Sequence, residues 1–367
     1  MSASDVLCKA LALFRMSILL LFVLCLLWIP SAPGPRFAAG ARHELVLPEP
    51  YFDVDSRHWT LNWSLCHITN ISGGMFNRWP HLKEVVLQGN MIETIQADSF
   101  LGLDRLRDLV LQQNSISTVE AHAFRGLSRL VDLDLKRNRI ETITDGAFVG
   151  LDHLQLLRLA YNRLVSIEHG TFRGLRSLRG SLELYSNRIK HIAESAFESM
   201  PDLLHLWLSD NEIKSIDRGM FVGLMRLDLL SLSNNHITVV QEGAFVGNGK
   251  LHELYLDNNG LVSIKKGMFA GMPELTLLDL SGNPIEDIDH DAFADLPSLS
   301  DLRLDYNVLC NWITPADPGR LIVLLTVPQR QLNPLIRKVI PQMMAFYDLF
   351  KDPNPKHTRA HSDVDRV

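Results

Sequence analysis

The chain has 367 residues and a mass of 41.5 kDa, room for two or three ordinary domains or for one long repeat array. Hydrophobic residues at 46% and charged residues at 21% exclude general disorder. A net charge of −6 excludes the basic balance of a dedicated nucleic-acid binder, and four cysteines are too few for a disulfide-dense mini-scaffold.

The N-terminus reads as a secretory signal over residues 1–41. Lys9 and Arg15 supply positive charge, residues 16–29 are apolar apart from Ser17, and Ala39-Gly40-Ala41 matches a small-residue cleavage pattern. That apolar run is short against the roughly 20 residues that span a bilayer. An uncleaved signal-anchor is the alternative, because residues 11–14 extend the apolar stretch across Arg15. Cleavage leaves Cys66 and Cys310 as the mature cysteines. Asn62-Trp63-Ser64 and Asn70-Ile71-Ser72 are glycosylation sequons, meaningful in a secreted chain. Sugars at Asn62 and Asn70 shield the N-terminal end and leave the middle free. No segment after Ile29 is long enough for a stable membrane span.

The next 250 or so residues repeat. Asparagine recurs at 90, 114, 138, 162, 187, 211, 235, 259, 283 and 307, every step being 24 residues except the 25 from Asn162 to Asn187. Ten phenylalanines from Phe76 to Phe293 keep the same beat, and Cys66 falls where an eleventh asparagine would stand. Around Asn114 the pattern is L-x-x-L-x-L-x-x-N-x-I-x-x-I followed by F-x-x-L. The L-x-L piece alternates with period two, so it forms a strand with one buried face. Stacked repeats align those strands about 4.8 Å apart, and no repeat buries its Leu/Phe face alone. Asparagine at the strand end bonds backbone groups in the turn, while phenylalanine fills the opposite side of each coil. The long unit carries an extra residue in Leu178-Arg179-Gly180-Ser181-Leu182, where Gly180 suits a bulge that tolerates unusual dihedrals.

On this motif the chain resembles the extracellular leucine-rich-repeat proteins with 24-residue repeats, the group that includes Slit, chondroadherin and the variable lymphocyte receptors. The resemblance covers residues 61–309. It implies a leucine-rich-repeat solenoid of the α/β horseshoe class: a concave parallel sheet, about eleven repeats and a mostly irregular convex side. It also implies an N-terminal cap region at 42–60 and a C-terminal cap at 310–350. The cap is degenerate here, because the cysteine clusters usual in the family are missing. Cys66 and Cys310 lie about ten strand steps apart, roughly 48 Å, too far to pair with each other. Cys66 reads as a ladder residue, and Cys310 offers a route to intermolecular pairing.

Beyond the repeats, Leu332, Leu335, Ile336, Val339, Ile340, Met343, Met344 and Tyr347 form one apolar helical stripe behind Asn333-Pro334, suited to cover the solenoid end. A poorly ordered tail, or a membrane or partner contact, is the alternative. Residues 351–367 are polar and read as disordered.

No G-x-S-x-G, P-loop, H-E-x-x-H or C-x-x-C occurs, so no enzyme, cofactor or metal is expected. Arg173, Arg176 and Arg179 read as a solvated face rather than a glycan contact. Two function classes remain. The first is a secreted binding module that grips a protein or glycoprotein on its concave sheet. The second is a structural matrix or adhesion protein that assembles through Cys310 or the tail. The position between the two strand leucines reads Val86, Val110, Asp134, Arg158, Glu183, Trp207, Ser231, Tyr255, Asp279 and Arg303. That column, with Tyr161, Tyr185 and Arg137 beside it, puts the candidate docking patch in the middle repeats, centred on Trp207, because Trp, Tyr and Arg dominate binding hot spots.

Overall fold

The computed structural model describes residues 47–53 and 58–307. The signal region 1–41, Cys310, the C-terminal cap at 310–350 and the tail at 351–367 lie outside the described residues, as do Cys8 and Cys25.

A three-residue strand forms in every repeat because the L-x-L segment can bury one face only against its neighbours. The strands run from His58–Asn62 through Glu84–Val86, Asp108–Val110 and their successors to Asp301–Arg303. They join in one 12-stranded sheet in chain order. The first strand, Tyr51–Asp53, pairs antiparallel with His58–Asn62, and the other pairings are parallel. At this N-terminal edge the Trp63 indole donates to the Pro48 carbonyl at 2.7 Å and stacks on Phe76. On the other side of the coil, turns alternate with two-residue strands such as Thr94–Ile95, Thr118–Val119 and Thr142–Ile143, which pair in small sheets. No helix occurs among the described residues, so the mostly irregular convex side is made of turns and short strands, and the helical half of an α/β horseshoe has no counterpart there.

Between the two sides lies the core. The phenylalanines from Phe76 to Phe293 stack ring on ring, with centroids 5.9 to 6.5 Å apart. Strands in a sheet stand only about 4.8 Å apart. A stack that steps wider on the phenylalanine side than on the strand side must curve, with the sheet on the inside of the arc. The spacing of these two buried columns therefore makes the long sheet the concave face.

The asparagines tie the coils together. Asn138 donates Nδ2 to the carbonyls of Leu111 and Leu135, both at 3.0 Å, and its Oδ1 accepts the Ile116 N–H at 3.1 Å. One side chain thus pairs groups in two repeats that no strand ladder reaches. Asn90, Asn114, Asn162, Asn187, Asn211, Asn235, Asn259, Asn283 and Asn307 repeat the scheme, all buried. Cys66 holds the equivalent place: its backbone N–H donates to Asn90 Oδ1 at 3.0 Å and its thiol donates to the Ser64 carbonyl at 3.4 Å. Burial pushes that thiol's pKa up, which makes it a poor nucleophile.

The 25-residue unit absorbs its extra residue ahead of the strand. Ser181–Glu183 pairs in unbroken register with Leu156–Arg158 on one side and His205–Trp207 on the other, so the strand has no bulge. The Gly180 N–H donates to the Gln155 carbonyl, the bond Gln155 itself makes to Val131 one coil earlier, which leaves Arg179 as the insertion. Gly180 does not use a left-handed dihedral, contrary to the expectation of a bulge. It is glycine because a Cβ there would lie 2.7 Å from the Gln155 carbonyl oxygen.

Candidate functional site

The register places the expected column as read: Arg158, Glu183, Trp207, Ser231, Tyr255, Asp279 and Arg303 stand opposite one another on successive strands. Trp207 and Tyr255 are therefore two strand steps apart across Ser231, roughly 10 Å. Both are half-buried rather than fully open. Ser231 is buried, and its hydroxyl lies 2.6 Å from that of Ser209.

Tyr161 and Tyr185 sit just past the ends of their strands. Tyr161 occupies the position before the ladder asparagine, where Gln113, Arg137, Ser186, Asp210, Asn234, Asn258 and Tyr306 likewise have φ between 54° and 58°. That left-handed conformation is needed to aim the next residue, the asparagine, inward. It also turns the side chain before it outward, and Tyr161 is 43% exposed. The guanidinium of Arg137 lies 4.5 Å from the Tyr161 ring centroid, and Tyr161 meets Tyr185 edge-on at 5.3 Å. Arg137, Tyr161 and Tyr185 thus form one contiguous amphipathic cluster.

Arg158 is differently employed. Its guanidinium holds Asp132 in a short ion pair and reaches Glu183 at 3.6 Å, while Lys136 lies 3.5 Å from the other oxygen of Glu183. The guanidinium's pKa is raised: burial lowers it, but the hydrogen bond to Asp132 and the surrounding carboxylates outweigh that. Arg158 is thus held by carboxylates instead of standing free. Tyr255 is also tied down, donating its hydroxyl to Glu253 at 2.8 Å. Desolvation, followed by that bond, pushes its pKa up to about 12. Asp257, Asp279, Asp301 and Asp305 gather at the other end of the column, where Arg303 partly neutralises them, pairing with Asp279 at 3.3 Å and Asp301 at 2.8 Å.

Of the two sequon asparagines, Asn62 lies on the concave column opposite Val86, and both Asn62 and Asn70 are exposed. Arg173 pairs with Asp145 at 3.5 Å on the solvated surface. Among the described residues no group of side chains is arranged to hold a metal, and no helix is long and apolar enough to cross a membrane.

Coils this regular, an asparagine ladder and a phenylalanine spine define a leucine-rich-repeat solenoid. The leucine rich repeat family model matches in eight overlapping segments that together run over residues 60–309, and the chain belongs to that family. No curated protein matches the sequence. Solved structures similar to it include the TLR13–ssRNA13 complex, at 27% identity and a TM-score of 0.58, covering 63% of this chain and 36% of that one. The Drosophila Toll–Spatzle complex is similar at 26% identity and a TM-score of 0.61, covering 65% of this chain and 32% of that one. A chain of the octameric complex of Latrophilin 3, Unc5D and FLRT2 is similar at 25% identity and a TM-score of 0.55, covering 70% of this chain and 77% of that one. This chain thus spans about a third of the TLR13 and Toll chains.

Proposed function

We propose that this protein is a secreted, non-enzymatic binding module that recognises an extracellular protein or glycoprotein on its concave face. The cluster of Arg137, Tyr161 and Tyr185 beside Trp207 carries the reading. Four side chains of the types that dominate hot spots share adjacent repeats, and three of them are held together by a cation–π contact and an edge-on ring contact. Tyr255 extends the patch two strands on, and Arg158, paired with Asp132 and Glu183, stands in the same column as Trp207. Two of the similar structures are complexes with protein partners, Toll with Spatzle and the Latrophilin 3, Unc5D and FLRT2 assembly. Glycans on Asn62 and Asn70 would cover the first strands and leave this patch open.

Expression of the full chain in animal cells tests secretion: product in the medium, beginning after residue 41 and losing mass on glycan removal, is expected. Cytosolic retention refutes it. Against a partner captured from extracellular fluid, Trp207→Ala and Tyr185→Ala should each weaken binding about thirtyfold, the equivalent of roughly 2 kcal/mol. Normal binding by both, with loss through the exposed Val246 on the opposite side, would move the docking surface off the sheet.

A further inference from the structure

Two register positions just ahead of the long-sheet strands run as columns along one margin of the solenoid. In the N-terminal half one column carries Arg105, Arg129 and His153, and the other carries Lys83 and Arg107. Together with Val131 and Gln155 these residues line an open groove of about 670 Å³. Arg105 and Arg129 are 24 residues apart, as are Lys83 and Arg107. Each pair therefore stands one strand step apart, about 4.8 Å, an arrangement of like charges that costs stability in the free protein.

The C-terminal half of the same columns serves as an internal comparison. There every cation has its carboxylate: Arg226 meets Asp202 at 3.5 Å, Lys250 pairs closely with Glu274, and His252 meets Asp228 at 2.6 Å. Among the described residues no ion pair engages Lys83, Arg105, Arg107 or Arg129. The neighbouring Asp108 forms none with Arg107. Its carboxyl pKa is raised by burial and by Asp132 and Glu84, with only partial relief from His58 and Arg107. In a chain of net charge −6, this is a concentrated basic strip whose four cations form no ion pair among the described residues.

We propose that this groove binds a linear sulfated polysaccharide laid along the solenoid axis, across the strands. Guanidinium forks match oxyanions in paired hydrogen bonds, and charges repeated along a linear glycan meet cations repeated along the stack. Val131 is the only apolar lining residue, so the groove has no pocket for the alternate side chains of an extended peptide. No Phe, Tyr or Trp lines it, and its one ring, His153, is held 2.7 Å from the Ser128 carbonyl, so successive nucleic-acid bases find no row of aromatic platforms. The groove precedes the strands and the aromatic cluster follows them, so this site stands whether or not the concave patch binds a protein.

The test titrates the full-length protein with a heparin-derived octasaccharide, its desulfated counterpart, polyglutamate and a single-stranded RNA of matched charge. Selective binding of the sulfated sugar is expected, weakening as salt rises. Arg105→Ser with Arg107→Ser and Arg129→Ser should lose tenfold or more in affinity, while Arg226→Ser binds like the wild type. The triple variant should melt no lower than the wild type, since it relieves stacked like charges. Arg105→Gln with Arg129→Gln, which keeps most of the side-chain bulk, should show the same loss of binding. Absent binding by the wild type, undiminished binding by both variants, or equal or tighter binding of the desulfated sugar, polyglutamate or RNA overturns the proposal.

Discussion

Replacing Asn211 by alanine tests whether the asparagine ladder, rather than leucine packing alone, holds adjacent coils in register. Asn211 is buried in the middle of the array. Its Nδ2 donates to the carbonyls of Leu184 and Leu208 at 3.0 and 3.1 Å, and its Oδ1 accepts the Ile189 N–H at 2.9 Å. Alanine leaves the Ile189 donor unpaired in a place where strand pairing does not reach it, while the Leu184 and Leu208 carbonyls each lose one of two bonds and keep those from Asn187 and Asn235. Each buried orphan costs about 1–3 kcal/mol. With two further bonds lost at about 0.5–1.5 kcal/mol each and partial relaxation, a loss of about 2–5 kcal/mol follows, a sizeable part of the stability of an ordinary domain. Because neighbouring repeats carry the coupling, the damage should be local first. Hydrogen exchange is the assay: the Ile189 amide should lose protection, while amides near Asn90, five ladder positions away, keep theirs. A uniform loss of protection along the array, or a destabilisation below about 1 kcal/mol, would show that the ladder is incidental to the packing.

Two further outcomes follow from particular atoms. Gly223 has φ +97°, and a Cβ there would lie 2.4 Å from Glu198 Cα, whereas Gly247 has φ +104° with nothing within 4 Å. Gly223→Ala should therefore lower the melting temperature clearly more than Gly247→Ala, which suffers backbone strain alone; equal shifts would refute the close-approach argument. The Tyr255 phenol is raised to about 12 by desolvation first and by its bond to Glu253 second. Its stabilising contribution is thus full below the ordinary phenol range near 10 and fades as pH climbs through about 12. Glu253→Gln should draw the ionisation part of the way back toward 10 in an NMR titration of the ring, and no movement would mean that burial alone sets it.

The fold was legible in the sequence because a solenoid is specified by local repetition. Asn114 makes its bonds within its own coil and to the previous one, so a 24-residue period with fixed Leu, Asn and Phe already determines strand, turn and core. The same arithmetic put Trp207, Ser231 and Tyr255 in one column. Gly180 was harder, since a glycine needed for space and a glycine needed for dihedral freedom look alike in a sequence. Only the 2.7 Å approach to Gln155 separates them.

The chemistry of the surface was less legible, and the reason is pairing across repeats. Arg158 and Arg105 are the same residue type, each on the strand side of its repeat. Arg158 is spent on Asp132 and Glu183, while Arg105 meets no carboxylate at all. Their places in the repeat differ, but nothing within either repeat shows which of them is paired. The distinction lies at offsets near 24, where a side chain finds its neighbour one coil away. Read along such a column, Asp202, Arg226, Lys250 and Glu274 follow at strand spacing, so each cation has a carboxylate one coil away. In the N-terminal repeats Arg129 follows Arg105 and Arg107 follows Lys83, so like charges stack. A stack of like charges costs folding free energy for no structural return, and that cost is what a bound polyanion would remove. In a repeat protein, then, the columns rather than the motifs are the unit in which binding sites can be read.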